Sequence, residues 1–164
     1  MIYAKSIKIK TCKGPNMKFF MLMIFSMSSS LVLGQDLPLN TAKKIAEKAM
    51  DYAGKRSWKI SIAIVNKEGN LVLFERGDGS YSGSIDSSIQ KATSSNAFQR
   101  PTSAFIEAVK TKPGLISGKN IIAIEGGVPI LLNGKHVGAI GISGAKAVDD
   151  EEIALESLKF LTAR

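Results

Sequence analysis

Asn133-Gly134 stands between two apolar segments, 121–132 and 135–143. Both residues accept the positive φ of a type I′ turn, and this dipeptide is the strongest short-range hairpin signal in the chain. It commits the C-terminal third to paired antiparallel strands. The returning strand is interrupted by Gly138, Gly141 and Gly144, which strip side chains from it, and the outgoing segment is broken by Glu125-Gly126-Gly127. Glycine inside a strand marks a bulge, a tight helix–sheet contact or the close approach of a ligand. The sequence leaves all three open. It does exclude a phosphate loop, because no GK[ST] follows and no GxGxxG is present.

The upstream half repeats the scheme. Ala42, Ile45, Ala46, Ala49, Met50 and Ala53 recur at helical spacing over 38–54, with Asn40 as expected cap and Gly54 as closing residue. From Ser57 the period becomes two: Trp58, Ile60, Ile62 and Ile64 alternate with their neighbours, so one face of this strand must be buried. A loop at 66–70 returns the chain as a second strand, 71–76, ending in Gly77-Asp78-Gly79-Ser80. A helix over 84–98 follows, unusually rich in serine, with Ile85, Ile89 and Ala92 along one side. Pro101 breaks it, and Thr102 or Ser103 starts a short helix running to Lys110. Asp149 and Glu152 have capping-box spacing for a final helix, with Ala154, Leu155, Leu158 and Leu161 as its apolar face. The order is α-β-β-α-α-β-β-α, with 121–125 as an optional fifth strand. These elements predict an α+β domain, an antiparallel sheet of four to five strands with helices packed on it.

Charge needs locating before it is interpreted. The 164 residues carry a net +8, which by itself invites a nucleic-acid reading. Five of the 22 basic side chains and none of the 14 acidic ones lie in residues 1–34, leaving 35–164 with a net of +3. Lysines before the apolar run 19–25, then serines and Val32-Leu33-Gly34, describe a secretory signal peptide cleaved before Gln35. Met17 is an alternative start, since Met17-Lys18-Phe19-Phe20 already forms a basic n-region. The run 19–33 is shorter than the roughly 20 residues of a spanning helix. An exported, single-domain protein covering 35–164 is therefore expected, periplasmic or extracellular, without a membrane span after cleavage and without a nucleic-acid platform. Cleavage removes Cys12, the one cysteine, and with it thiolate chemistry. The single histidine, His136, rules out a two-histidine metal site in one chain.

Three places carry possible chemistry. Asp78, between glycines, is either a turn stabiliser or a ligand-binding or basic carboxylate. Lys91, Thr93, Phe98, Arg100 and Thr102 are either pocket residues for a flat anionic ligand or a solvated helix face with Phe98 in the core. His136, beside the hairpin tip, is either the one conventional imidazole ligand or an exposed residue. A Ser/His/Asp site lacks its GxSxG elbow, and Ser143 lacks an assigned base.

Ser61-Ile62-Ala63-Ile64-Val65, Arg76-Gly77-Asp78-Gly79, Lys91-Ala92-Thr93, Glu125-Gly126-Gly127-Val128-Pro129-Ile130 and Gly138-Ala139-Ile140-Gly141-Ile142-Ser143-Gly144 together resemble the GlcG/HbpS family, over about residues 38–163. The resemblance implies a compact α+β domain that forms homo-oligomers. In some members it implies export and haem binding, with a role in haem or iron sensing, storage or degradation. Other members are fused to corrinoid adenosyltransferases or accompany catabolic enzymes without a settled activity. The chain departs from the pattern at Gly77, where methionine is common, and in its first helix, where Lys43-Lys44-Ile45-Ala46-Glu47-Lys48 offers no histidine. The resemblance thus implies a small-ligand-binding protein, with haem as the leading ligand and Lys91, Thr93, Phe98, Arg100, Thr102, Glu125, Gly126 and Gly127 as binding residues. Thr102 is a hydroxyl candidate for the iron, and Arg100 or Lys91 would meet a propionate. The alternatives are an enzyme acting on a small organic acid, with Asp78 or Glu125 as general base, and an oligomeric interaction module.

Overall fold

The computed structural model describes residues 36–162, so the expected signal peptide 1–34 lies outside the described residues. Helix α1 (Leu39–Gly54) leads into strands β1 (Ser61–Asn66) and β2 (Leu71–Arg76). Helices α2 (Gly83–Phe98) and α3 (Ala104–Thr111) follow, then a 3-10 turn, Pro113–Ser117. Strands β3 (Gly127–Leu132) and β4 (Lys135–Ser143), helix α4 (Ala147–Leu158) and a last 3-10 turn, Lys159–Leu161, complete the domain. The α+β order is the one read from the sequence. The four strands form one sheet in the order β2-β1-β4-β3, each neighbouring pair antiparallel. Segment 121–125 is irregular and adds no fifth strand.

Alternation along the strands divides the core in two. Ile62, Ile64, Val128, Ile130, Ile140 and Ile142 point to one face, under Ala42, Ile45, Ala46, Ala49 and Ala53 of α1 and Ile153 and Ala154 of α4. Ala63, Val65 and Ala139 point to the other, under Ala92 and Ile89 of α2. Both faces of β1 are therefore buried, one more than alternation alone required. The first face is filled by branched aliphatics and the second by alanines, so α2 lies close against the sheet.

Glycine makes that closeness possible. A Cβ on Gly141 would fall inside contact distance of the Ser88 carbonyl oxygen and of the Ala92 backbone, both on α2. The tight helix–sheet contact is thus the outcome at Gly141. The polar face of α2 faces inward: Ser84, Ser88, Lys91, Ser94, Ser95 and Asn96 are all buried. Small hydroxyls fit beneath a closely packed helix and satisfy themselves locally, as where Ser88 Oγ donates to the Ile85 carbonyl at 2.8 Å. The alternative of a solvated helix face with Phe98 in the core is corrected accordingly. Phe98 is 36% exposed and meets Phe105 edge-on, with ring centroids 5.1 Å apart.

Three boundary details also differ. Helix α1 begins at Leu39 behind Pro38, and Asn40 falls inside its first turn rather than capping it. Helix α4 begins at Ala147, which places Asp149 and Asp150 in its first turn, where carboxylates favour the N-terminal dipole, instead of at a capping box. Its inward stripe is Asp150, Ile153, Ala154 and Ser157, and Leu155 is exposed. Replacing Gly141 with alanine would drive a methyl into the backbone of α2. The expected result is a loss of about 3 kcal/mol of stability, read as a lower urea midpoint at unchanged m-value.

Candidate functional site

A lysine that lies 2% exposed needs a partner at once. Lys91 sits on α2, over one face of the sheet, and its partner Asp150 sits on α4, over the other. The Lys91 ammonium donates to Asp150 Oδ2 at 2.8 Å and to the Ile142 carbonyl, also at 2.8 Å. The side chain crosses between the two helical layers at the mouth of the β3–β4 hairpin, where Gly126 and Gly127 leave room. A Cβ on Gly126 would come within 2.9 Å of Lys91 Nζ, 2.9 Å of Asp150 Cβ and 2.7 Å of the Ile142 carbonyl oxygen. Gly126 also has φ of +117°, in the region that favours glycine.

The surrounding shell ties α3 and α4 to the same turn. Thr102 N–H donates to the Gly127 carbonyl at 2.9 Å, and Gly127 N–H returns a bond to Thr102 Oγ1 at 3.0 Å. Gly126 N–H points to Glu151 Oε2 at 3.4 Å, and Ser103 Oγ donates to Glu151 Oε1 at 2.7 Å. Asp150 Oδ1 accepts the Ala145 N–H at 3.0 Å. Burial raises the Asp150 carboxyl above its ordinary range, while Lys91 and the N–H groups of Ala145 and Gly144 pull it back down. The ammonium and the backbone donors converging on Asp150 oppose that rise without cancelling it.

Of the eight residues expected at a ligand site, the structure brings Lys91, Thr102, Gly126 and Gly127 together in this internal assembly, where Thr102 and Gly127 bond to each other, Lys91 to Asp150 and Ile142, and Gly126 to Glu151 and Ile142. Thr93 is elsewhere. Its hydroxyl donates to the Ile89 carbonyl at 2.8 Å, and its side chain lines a surface groove of about 320 Å³ between α2 and 120–122, with Ile89, Gln90, Asn120, Ile121 and Ile122. The groove is at the small end of small-molecule sites, which run from about 300 to 1,000 Å³. Arg100 is exposed and lies over the Phe105 ring, 5.9 Å from its centroid, next to Phe98. Glu125 borders a second groove along α4.

Asp78 is exposed in the turn after β2, whereas Glu125 precedes β3 on the opposite edge of the sheet. Three strand spacings, roughly 14 Å, separate the two edges. Arg100 forms no ion pair with either carboxylate among the described residues; its Nε donates to the Phe98 carbonyl. His136 is half-buried rather than fully exposed, and its Nε2 is a buried atom with no hydrogen-bond partner in the fold. Desolvation lowers its pKa from the usual 6.5, against a backbone hydrogen bond at Gly138 that raises it.

Sequence reading missed Asp150 and Glu151 as members of the internal assembly, because the run 149–152 reads as a helix start. The signal available was Lys91 itself: a lysine on a helix packed against a sheet requires a carboxylate, and this run is a dense source of them. Gln90, Asn120, Ile121 and Ile122 carried no signal, since their groove exists only where a helix and a distant irregular segment meet.

An antiparallel sheet with one closely packed helix on one face, two on the other, and glycines at the close approaches defines a small α+β domain in which the Lys-Ala-Thr, Glu-Gly-Gly and Gly-rich strand blocks occur together. The chain belongs to the family described as haem degrading protein HbpS-like, whose model matches residues 37–159. It is 30% identical over 129 residues to an uncharacterized 15.0 kDa protein in the dhaT-dhaS intergenic region of Citrobacter freundii, covering 74% of this chain and 89% of that one. It is 27% identical over 118 residues to protein GlcG of Escherichia coli K12, covering 71% and 85%. The crystal structure of HbpS superposes with a TM-score of 0.74 at 31% identity, over 80% of this chain and 94% of that one.

Lys91→Met would leave the Asp150 carboxylate buried and alone. The expected cost is about 3–5 kcal/mol, and Lys91→Met/Asp150→Leu should recover much of it; denaturant unfolding of the three proteins measures both. His136 gives a pH dependence of definite sign. Its pKa is lower folded than unfolded, so its contribution is fully present above about 6.5 and is lost as pH falls through the folded value. Stability curves of the wild type and His136→Gln should diverge only below that pH, with the variant losing less.

Proposed function

We propose that this protein is an exported small-ligand-binding protein whose ligand is haem. The family match over 37–159 carries the reading, since the family is described by its action on haem. The basic and apolar segment ahead of Gln35 supports export.

The chemistry of the available donors bears on how haem would be held. The groove on α2 offers apolar walls from Ile89, Ile121 and Ile122 and oxygen or amide groups from Gln90, Thr93 and Asn120. It contains neither imidazole nor thiol, and no cluster of three or more His, Cys, Asp or Glu able to hold a metal ion occurs among the described residues. These residues fit a porphyrin edge held by apolar contact, with oxygen donors near it. They do not supply a strong axial bond of the histidine or thiolate kind. Arg100, exposed beside Phe98 and Phe105, is free to meet a propionate, whereas Lys91 is committed to Asp150.

The enzyme alternative draws less from the geometry. A general base and the cation that holds the substrate must share one cleft, and among the described residues Arg100 pairs with neither Asp78 nor Glu125, its Nε donating to the Phe98 carbonyl instead. Titration of the purified chain with haemin is the test. A saturable Soret shift at micromolar protein is expected, weakened about tenfold or more by Ile121→Asp in the groove wall and less by Arg100→Gln. Absence of any saturable shift overturns the haem reading. A shift unchanged by Ile121→Asp removes the groove from it.

A further inference from the structure

The tip of the β3–β4 hairpin holds a reactive pair. Asn133 has φ of +52° and Gly134 of +74°, the two positive values of a type I′ turn. Leu132 and Lys135 form the last pair of the ladder, so the Gly134 nitrogen lies outside it. Both turn residues are exposed, and a Cβ built on Gly134 would meet nothing within 4 Å. A side-chain carboxamide thus stands beside a backbone nitrogen that no side chain of its own residue shields.

This combination occurs once among the described residues. They contain six asparagines, and only Asn133 precedes glycine. Each of the other five precedes a residue whose Cβ crowds the approach to its nitrogen. Asn120 is the closest comparison, being exposed with a φ of +63°, but the β-branched Ile121 follows it.

We propose that Asn133 is a site of covalent modification, converted through a cyclic imide to aspartate and isoaspartate. The Gly134 nitrogen gives its proton to solvent base and attacks Asn133 Cγ. The N–Cγ bond forms, the Cγ–Nδ2 bond breaks, and Nδ2 leaves as ammonia with a proton taken from solvent. Water then opens the imide. Cleavage of N–Cγ leaves aspartate with the ordinary backbone. Cleavage between the nitrogen and the residue 133 carbonyl carbon leaves isoaspartate, the chain now running through Cγ. One water enters and one ammonia leaves, with no change of oxidation state.

Either product puts a carboxylate in the turn, bordering a groove of about 350 Å³ that Leu131, Leu161 and Thr162 also line. Isoaspartate adds a carbon to the backbone of a two-residue loop, which the Leu132–Lys135 pairing does not accommodate. Ring closure requires Asn133 to leave its turn dihedrals, and the paired strands resist that. The conversion is therefore slow and follows local opening of the hairpin tip. It is independent of the ligand.

Peptide mapping by mass spectrometry, on the purified full chain held for weeks at mildly alkaline pH, tests this. The fragment containing Asn133 should gain the mass difference between an amide and a carboxylic acid at least about tenfold faster than any fragment containing another asparagine. Asp78-Gly79 can close the same imide, but by losing water and regaining it, so the mass gain reports on asparagine alone. Gly134→Ala should slow the gain about tenfold. Because alanine is strained at this φ, Asn133→Gln serves as a second block and should abolish it. A synthetic peptide covering 128–138 should convert faster than the folded chain. Of the acidic species separated by ion exchange, the isoaspartate form should unfold at a lower urea midpoint than Asn133→Asp. A folded chain that keeps this amide while the peptide converts overturns the proposal, and so does equal conversion at Asn120.

Discussion

The Lys91–Asp150 ion pair is the constraint to which the rest of the fold is fitted. Burying both charges costs more than their attraction returns unless the geometry is good and the remaining hydrogen-bonding capacity is filled. Here the filling comes from the Ile142 carbonyl on β4 and from the Ala145 and Gly144 N–H groups ahead of α4. The pair sets the rotation of α4, because Asp150 must face inward, and Ile153, Ala154 and Ser157 then follow on the same stripe. Leu155 is left outside as a consequence, which exposes the apolar part of the α4 groove.

The same pair organises the opposite layer. Lys91 reaches its partner only if α2 lies close to the sheet, and α2 lies close only because Gly141 presents no side chain to it. Serines line the contact, since larger groups would not fit under a helix so near the strands. The result is a domain densely bonded at its centre and open at its rim. The Thr93 groove and the Phe98–Arg100–Phe105 cluster lie on that rim.

This division separates the conspicuous residues that build the interior from those that lie at the surface. Lys91, Thr102, Gly126 and Gly127 stand out in the sequence because they build the junction between layers. Thr93 and Arg100 stand out for proximity to them in the chain, yet face solvent-accessible surfaces.

The sequence by itself determined the element order, the antiparallel pairing through Asn133-Gly134 and the buried stripe of α1, because each follows from local periodicity and turn chemistry. It also located five of the eight net positive charges in residues 1–34. Only the tertiary structure decided what the glycines are for, since a Gly in a strand reads the same whether a helix, a bulge or a ligand approaches it. It decided likewise that the serine-rich face of α2 is inside, against the ordinary expectation for polar side chains. And it alone joined Lys91 to Asp150, 59 positions apart: a buried charge announces its need for a partner locally, but the partner's identity depends on which two helices meet across the sheet.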